Sequence, residues 1–258
     1  MEKLTEKDDE FIEALNDWSR PFAAPIFFGD RPYSSDSKKV NNGTISLINY
    51  RGKKIGITCE HIFSDGFEKR SSVDCILQVN DTMIPNDKML YRDKEIDIAI
   101  LDLSEVTPFE LERGEFSNKL FPIETWPIIN PKKGDIITLS GFPGTWRRRE
   151  SNEHVIFDIF SIGATVVEDA NEKRAIINAD FNKEGYIPKI RHGRDPKNLD
   201  SYGGLSGAPV FRINNGNLIT FDFYGICVGE MLKTIHIRPL ASSSFFKIIE
   251  SVISVKSA

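Results

Sequence analysis

Residues 201–209 read SYGGLSGAP, and Ser206 lies among the three glycines of this stretch. A serine hydroxyl is a weak nucleophile, so it needs a base to accept its proton and an acid to hold that base in one tautomer. It also needs hydrogen-bond donors for the oxyanion that forms when it attacks a carbonyl group. The stretch is therefore either a plain glycine-rich turn or a loop that holds a nucleophile, depending on what the rest of the chain supplies.

Four histidines are candidates for the base. His61 follows a strand-like run in GITCEHIFSDG, and His192 lies in a long polar stretch, whereas His154 and His236 lie inside strand patterns. A general base has to be within reach of the substrate and held in one orientation, so His61 and His192 are the better candidates. The alternative for His61 is a strand-end histidine that is hydrogen-bonded only to the backbone.

The segment EIDIAILDL contains two candidate acids, Asp97 and Asp102. Asp97 opens an apolar strand pattern, and Asp102 lies near the end of that pattern beside more polar residues. Because a buried carboxylate is costly without a partner, Asp97 is expected to pair with a group such as His61. Asp102 stays the rival acid, and a cap at the start of the strand is the alternative for Asp97.

Three segments together carry a resemblance to the trypsin-like serine peptidases. ITCEH resembles their Thr/Ser-Ala-Ala-His segment, EIDIAIL their Asp-Ile-Ala-Leu segment, and GLSGAP their Gly-x-Ser-Gly-Gly-Pro loop. The chain order His, Asp, Ser is that of the chymotrypsin-type triad, with 36 residues from His61 to Asp97 and 109 from Asp97 to Ser206. SGFPG at 140–144 is similar to a Gly-Tyr/Phe-Pro segment of the bacterial intracellular members, and the resemblance covers about residues 40–240.

The resemblance implies that Ser206 is the nucleophile, His61 the general base and Asp97 the acid that orients it. It also implies an oxyanion hole formed by the backbone N–H groups of Gly204 and Ser206, where glycine allows a close turn. Leu205 stands where secreted trypsins have the aspartate used in zymogen activation, so that activation route is not expected.

The same resemblance places Asp200 at the base of the primary specificity pocket and Glu230 in the pocket wall. Both are candidate substrate-binding residues that would favour Arg or Lys on the acyl side of the cleaved bond. The alternative for Asp200 is a solvated acid in a loop.

Composition argues against several other classes of function. The net charge of −5 argues against nucleic acid as the main partner, because phosphate binding needs clustered cations. Cys59, Cys75 and Cys227 are dispersed and form neither a disulfide framework nor a CxxC motif, so no zinc site is expected. Acyl transfer by a serine nucleophile needs no metal or other cofactor, and none is expected. The acidic start MEKLTEKDDEF is unlike a signal peptide, and no apolar run is long enough for a membrane span. A cytoplasmic protein without a membrane partner is the resulting expectation.

A mainly β fold must position these residues. Ten or more short segments rich in β-branched residues are separated by Gly, Pro, Asn and Asp, which is typical of a barrel or sandwich. Together with the resemblance, this pattern predicts an all-β double β-barrel of the chymotrypsin type. Helical spacing of apolar residues predicts an N-terminal helix at 5–19 and a C-terminal helix at 242–253. The predicted division is a lead-in at 1–39 and a peptidase domain at 40–258, with barrels at about 40–115 and 116–241.

Two functional hypotheses follow. The first is a cytoplasmic serine endopeptidase that cleaves protein or peptide substrates through an acyl-enzyme, regulated by a protein activator as a stress or defence protease. The polar loop at 182–201 and the N-terminal helix are its candidate regulatory segments. The second is a peptidase-fold module that binds or senses partners and is catalytically restrained.

Overall fold

Sixteen strands and two α-helices are present in the part of the chain that the computed structural model describes. That part comprises residues 6–30, 41–70, 75–80, 82–105, 118–130, 132–150, 155–168, 171, 173–178, 201–215, 218–231 and 234–254. The helices are α1 (Glu6–Ser19) and α2 (Ser243–Ser254). The strands are β1 (Ala23–Asp30), β2 (Asn41–Tyr50), β3 (Lys53–Thr58), β4 (Cys75–Val79), β5 (Thr82–Met83), β6 (Met89–Asp93), β7 (Ile98–Asp102), β8 (Phe121–Ile123), β9 (Ile136–Gly141), β10 (Arg147–Arg149), β11 (Val155–Phe157), β12 (Phe160–Glu168), β13 (Ala175–Asn178), β14 (Pro209–Asn215), β15 (Ile219–Met231) and β16 (Thr234–Pro239).

The first sheet has the strand order β5-β4-β1-β2-β3-β7-β6, and β8 pairs in parallel with β2. All its other pairings are antiparallel. A two-residue turn joins β2 to β3, and Arg51 and Gly52 in that turn have φ of 48° and 83°. Positive φ at both central residues is the requirement of the type I′ hairpin turn, which suits the twist of the flanking strands.

The second sheet closes into a barrel in the order β12-β13-β16-β15-β14-β9. Its strands alternate as a barrel requires, since Ile235 and Ile237 of β16 point into the core while the intervening residues are half-buried. The all-β fold with two curled antiparallel sheets and a helix near each end is therefore confirmed. The predicted barrel limits stay a prediction.

β1 was not expected as a strand, because residues 23–30 fall in the predicted lead-in. It lies in the middle of the first sheet, paired with β2 on one side and β4 on the other. Ile26 and Phe28, both almost completely buried, give its contribution to the core. Pro25 and the short length of the run conceal the strand pattern in the sequence.

The two helices pack against the barrels from outside. α1 packs against β9 and β12, where Ser19 Oγ lies 2.6 Å from Ser140 Oγ. Trp18 stacks on Phe221 of β15 with ring centroids 3.5 Å apart. The helix predicted at 5–19 is thus present from Glu6, and these contacts hold it against the second barrel.

α2 begins after Ser242, whose Oγ accepts the Phe245 N–H at 3.2 Å and so caps the helix. Phe245 and Ile249 are buried in the core of the first sheet although the helix follows the second barrel in the chain. The C-terminal segment therefore ties the two barrels together. Neither of the described helices has the length and apolar character needed to cross a membrane.

Candidate active site

The loop that carries Ser206 consists of two consecutive turns. The Leu205 N–H donates to Tyr202 O at 3.0 Å, and the Ala208 N–H donates to Leu205 O at 2.8 Å. Gly204 and Gly207 occupy the third position of the first and second turn, with φ of 100° and 89°. Positive φ at that position is typical of type II turns and favours glycine, so the GGLSG spacing builds both turns.

Both glycines are also needed because other backbone comes close. A Cβ on Gly204 would lie 2.6 Å from the Phe142 carbonyl oxygen, and a Cβ on Gly207 would lie 2.0 Å from the Thr44 carbonyl oxygen. No side chain fits at these distances. The loop is therefore wedged between the start of β2 and the residues that follow β9.

Hydroxyl groups on β2 hold the backbone of this loop. Thr44 Oγ1 donates to Gly204 O at 2.8 Å and accepts the Phe142 N–H at 3.0 Å. Ser46 Oγ donates to Gly207 O at 2.8 Å, and the Thr44 N–H donates to Ser206 O at 2.8 Å. Thr44 and Ser46 are completely buried, and buried hydroxyls require partners. The sequence analysis missed both residues, and their alternation in the strand NNGTIS was the available indication.

Asn42 makes a second connection between β2 and the loop region. Its Nδ2 donates to Phe142 O at 2.8 Å, and its Oδ1 accepts a hydrogen bond from Arg147 Nη1 at 2.8 Å. The Gly144 N–H in turn donates to Gly203 O at 2.6 Å. The SGFPG segment thus lies beside the Ser206 loop and fixes the carbonyl that precedes Gly204.

The ends of β3 and β7 bring His61 and Asp97 together. His61 Nδ1 lies 2.8 Å from Asp97 Oδ2, and the His61 backbone N–H donates to Asp97 Oδ1 at 2.9 Å. Asp97 has φ of 55°, the left-handed conformation that aspartate tolerates better than most residues. That conformation, immediately before β7, lets one carboxylate bind both the ring and the backbone of His61.

His61 also reaches Ser206, because its Nε2 lies 3.1 Å from Ser206 Oγ. An ionised carboxylate only accepts hydrogen bonds, so Nδ1 carries the proton and Nε2 is the acceptor for the serine hydroxyl. The hydrogen bond to Asp97 raises the pKa of His61 above its ordinary 6.5 against the opposing effect of burial, and the Asp97 charge adds to this. The arrangement can therefore pass the Ser206 proton to His61 and stabilise the imidazolium.

The backbone N–H groups of Gly204 and Ser206 are the expected oxyanion donors. Among the described residues, neither group donates a hydrogen bond. The neighbouring Leu205 and Gly207 N–H groups, by contrast, donate to Tyr202 O and Cys227 O. The loop thus leaves two donors on either side of Leu205 available for a developing charge.

The structure also places the other candidates. Asp102 lies at the far end of β7 and accepts the Ser104 N–H at 2.9 Å, so Asp97 is the acid that bonds to His61. His236 lies on β16, 3.1 Å from Thr234 Oγ1, and burial lowers its pKa. Glu230, an exposed residue of β15, accepts the Tyr202 N–H and so joins that strand to the Ser206 loop. Asp200, His154 and His192 lie outside the described residues.

Two buried cysteines lie beneath the site. Cys59 Sγ donates to the Cys227 carbonyl oxygen at 3.3 Å, and burial raises the pKa of the Cys59 thiol well above its ordinary value. Among the described residues, Cys59, His61 and Asp97 form one group whose potential metal-binding atoms lie within 4.8 Å of one another. The protonated thiol and the short contact of His61 with Asp97 both oppose metal binding, since metal ligands must be deprotonated.

Comparisons with known proteins bear on the fold. No protein-family model matches the sequence, and no curated protein sequence matches it. A thermostable serine protease, AL20, from an extremophilic microorganism aligns with 91% of this chain and 99% of its own, with 13% identity and a TM-score of 0.50. At that identity the likeness shows the fold alone, and the chain therefore has a fold similar to that of a serine protease.

A second solved structure comes from work on the intrinsically disordered VPg protein of Sesbania mosaic virus and its aromatic interactions in coupled folding and binding. It aligns with 86% of this chain and 95% of its own, with 14% identity and a TM-score of 0.40. No inference rests on this weaker likeness.

Proposed function

We propose that this protein is a serine endopeptidase. The observation that carries the proposal is the continuous hydrogen-bonded series from Asp97 through His61 to Ser206, with contacts of 2.8 Å and 3.1 Å. Asp97 immediately precedes β7, His61 follows β3 and Ser206 lies in the loop before β14. Their arrangement matches the demands of nucleophilic catalysis. The fold similarity to a serine protease supports the same reading at the level of architecture.

In this mechanism Ser206 Oγ attacks the carbonyl carbon of the scissile peptide bond while its proton moves to His61 Nε2. The tetrahedral intermediate collapses as His61 gives that proton to the leaving amine, which produces an acyl-enzyme on Ser206. A water molecule, deprotonated by His61, then attacks the ester, and Ser206 regains its proton when the acid product leaves. Asp97 accepts the hydrogen bond from the Nδ1–H group of His61 and stabilises the imidazolium each time it forms.

The Gly204 and Ser206 N–H groups would bind the oxyanion in both tetrahedral intermediates. Removal of one such donor typically costs about 10²–10³ in rate, so the fixed position of this loop would contribute to the rate in addition to the nucleophile. The buried bonds from Thr44 and Ser46 supply that fixed position.

Two further parts of the proposal concern the substrate preference and the cellular role of the protein. We infer a preference for Arg or Lys on the acyl side, with Asp200 and Glu230 as the acids that recognise it. The exposed Glu230 carboxylate, bonded to Tyr202 four residues before Ser206, supports its place in this role. We also infer a cytoplasmic stress or defence protease that needs no cofactor and is controlled by a protein activator.

Labelling with a fluorophosphonate probe tests the assignment. The probe should modify the native protein at one serine, identified by mass spectrometry, and Ser206→Ala should abolish both labelling and peptide hydrolysis. Ser251→Ala, on the exposed face of α2, is the matched control and should behave as the native protein. Equal hydrolysis by native protein and Ser206→Ala would refute the proposal, and absent labelling of the native protein, with no activator missing, would favour the binding module.

A peptide-library profile tests the substrate preference. The native protein should prefer Arg or Lys before the cleaved bond, and Asp200→Ala should weaken that preference more than it weakens cleavage of other peptides. An unchanged profile in Asp200→Ala would remove that residue from the specificity pocket and leave the peptidase assignment intact.

A further inference from the structure

Glu60, the residue before His61, has a buried carboxylate for which the mechanism above has no use. The residue is 2% exposed. A buried carboxylate is strongly disfavoured unless it is paired and hydrogen-bonded. Its partners therefore indicate what keeps it there.

Arg92, on β6, is the main partner of Glu60. Its Nε donates to Glu60 Oε1 at 2.6 Å, and its guanidinium also bonds to Glu68 and lies 5.6 Å from the centre of the Phe63 ring. The Ser64 hydroxyl donates to the second oxygen of Glu60 at 3.0 Å. Arg92 thus contacts three residues of the segment from residue 60 to residue 68, namely Glu60, Phe63 and Glu68.

The backbone of Glu60 starts the same segment. Its carbonyl oxygen accepts the N–H groups of Phe63 and Ser64 at 2.8 Å and 3.3 Å. The following turns, Ile62–Phe67, are wound as a π-helix, a form of helix that is frequent at functional sites. Glu60 therefore fixes this turn by both its backbone and its side chain, and His61 is the first residue after it.

Arg92, the second residue of the pair, lies in the same β6–β7 hairpin as Asp97. On the β6–β7 ladder Arg92 is opposite Ala99, and the next pair joins Asp93 to Ile98. Asp97 immediately precedes Ile98, so the Arg92 backbone and the Asp97 backbone belong to one rigid hairpin. The Asp93 carboxylate fixes the connecting turn by accepting the Glu95 N–H at 2.8 Å.

We propose that the Glu60–Arg92 pair is a positioning device that holds the His61 turn against the Asp97 hairpin, an inference that rests on the serine peptidase function. It acts in parallel with the bond from the His61 N–H to Asp97. This role requires no contact between the substrate and either Glu60 or Arg92. Their effect is on the orientation of the imidazole ring relative to Asp97 and Ser206.

The test measures the rate at which a fluorophosphonate labels Ser206, separated into the maximal rate and the concentration for half-maximal rate. Arg92→Gln should lower the maximal rate by about 10- to 100-fold, the effect of displacing reacting groups by up to about 1 Å. The half-maximal concentration should change little, because neither residue binds the probe. Arg92→Lys keeps the charge and should fall between the native protein and Arg92→Gln.

A second variant covers the case in which Arg92→Gln does not fold. Glu60→Gln with Arg92→Met leaves no buried charge unpaired, so it should fold while lacking the connection, and it should show the same loss of maximal rate. The control is Arg212→Gln, which breaks a pair with Asp222 in the second barrel, where the arginine side chain is 24% exposed against 25% for Arg92. It should lose stability without changing the labelling rate.

Two readouts separate orientation from a general loss of stability. Asp97, Asp65 and Glu60 are the charged groups that raise the pKa of His61. Because the double variant lacks the Glu60 charge, the acid limb of its labelling rate should move to lower pH. The downfield NMR resonance of the His61 Nδ1 proton should broaden in Arg92→Gln and in the double variant and stay sharp in Arg212→Gln.

Labelling of the folded variants at the native maximal rate, with a sharp Nδ1 resonance, would overturn the positioning role. An unlabelled native protein, with no activator missing, would instead contradict the peptidase assignment. The Nδ1 resonance then still decides the positioning role, because it depends on His61 and Asp97 and needs no turnover.

Discussion

Thr44→Val is the sharpest probe of the bonds that hold the Ser206 loop, because valine keeps the shape of threonine and removes only the hydroxyl. Thr44 is completely buried, and its Oγ1 serves two backbone groups, donating to Gly204 O and accepting the Phe142 N–H. The variant leaves both groups without that partner. Phe142 is 6% exposed, so water cannot readily replace the lost bond to its N–H.

The size of the effect follows from these two groups. A buried backbone group left without a partner costs about 1–3 kcal/mol, and Gly204, which is half-buried, costs less than the full amount. The sum is about 2–4 kcal/mol, which corresponds to a fall of about 4–16 °C in Tm for a chain of this size. The loss of peptidase rate is at most about 10²–10³-fold, the effect of one misplaced oxyanion donor.

The assay pairs thermal unfolding with fluorophosphonate labelling of Ser206. Thr44→Ser is the matched control, since it keeps the hydroxyl and loses only a methyl group, and its labelling rate should stay close to that of the native protein. Thr44→Val should lose both stability and rate. A Tm and a rate equal to those of Thr44→Ser would refute the role given to the hydroxyl.

Two further predictions concern the same site. Asp97→Asn should slow hydrolysis by about 10⁴-fold through loss of the correct His61 tautomer, and it should move the acid limb of the pH–rate profile to lower pH, because the bond to Asp97 is the main cause of the raised His61 pKa. A His61 pKa that is higher in the folded than in the unfolded state stabilises the fold below the unfolded pKa, and this stabilisation is lost as pH rises through the folded pKa. The Tm loss in Asp97→Asn should therefore be larger at about pH 5.5 than at about pH 9. Equal losses at the two pH values would contradict this assignment. Gly207→Ala should prevent folding, because its Cβ would meet Thr44 O at 2.0 Å, whereas Gly52→Ala, with φ of 83° and open space, should cost only about 1–2 kcal/mol. Soluble yield and Tm check this pair, and similar values for both variants would count against the clash.

The site residues that could be predicted from the sequence are those whose residue type and neighbouring residues indicate a chemical role. Ser206 among glycines, His61 at the end of a strand and Asp97 at the start of another were each recognisable locally, and the chain order joined them. The glycines at 204 and 207 carry their turn geometry in the sequence, because positive φ at the third turn position favours this residue type. Such features depend on short stretches of chain.

The residues that could not be predicted act across long separations. Thr44 and Ser46 look like ordinary strand residues, and only the docking of β2 against the Ser206 loop makes their hydroxyls indispensable. Glu60 and Arg92 are 32 residues apart and form a pair only because β6 runs beside the His61 turn. β1 was hidden because Pro25 interrupts a short run whose apolar residues become meaningful only between β2 and β4.

The hydrogen bonds from β2 to the Ser206 loop bear on when, during its synthesis, the chain could acquire the proposed peptidase activity. Thr44 and Gly204 are 160 residues apart, and His61 and Ser206 are 145 residues apart. Contacts of such high sequence separation form late, since the ends of a long loop must meet before the contact repays the lost entropy. A chain growing from its N-terminus contains His61 and Asp97 well before Ser206 is synthesised. The proposed peptidase therefore lacks its nucleophile until late in synthesis, and its activity would begin only after the Ser206 loop docks on β2.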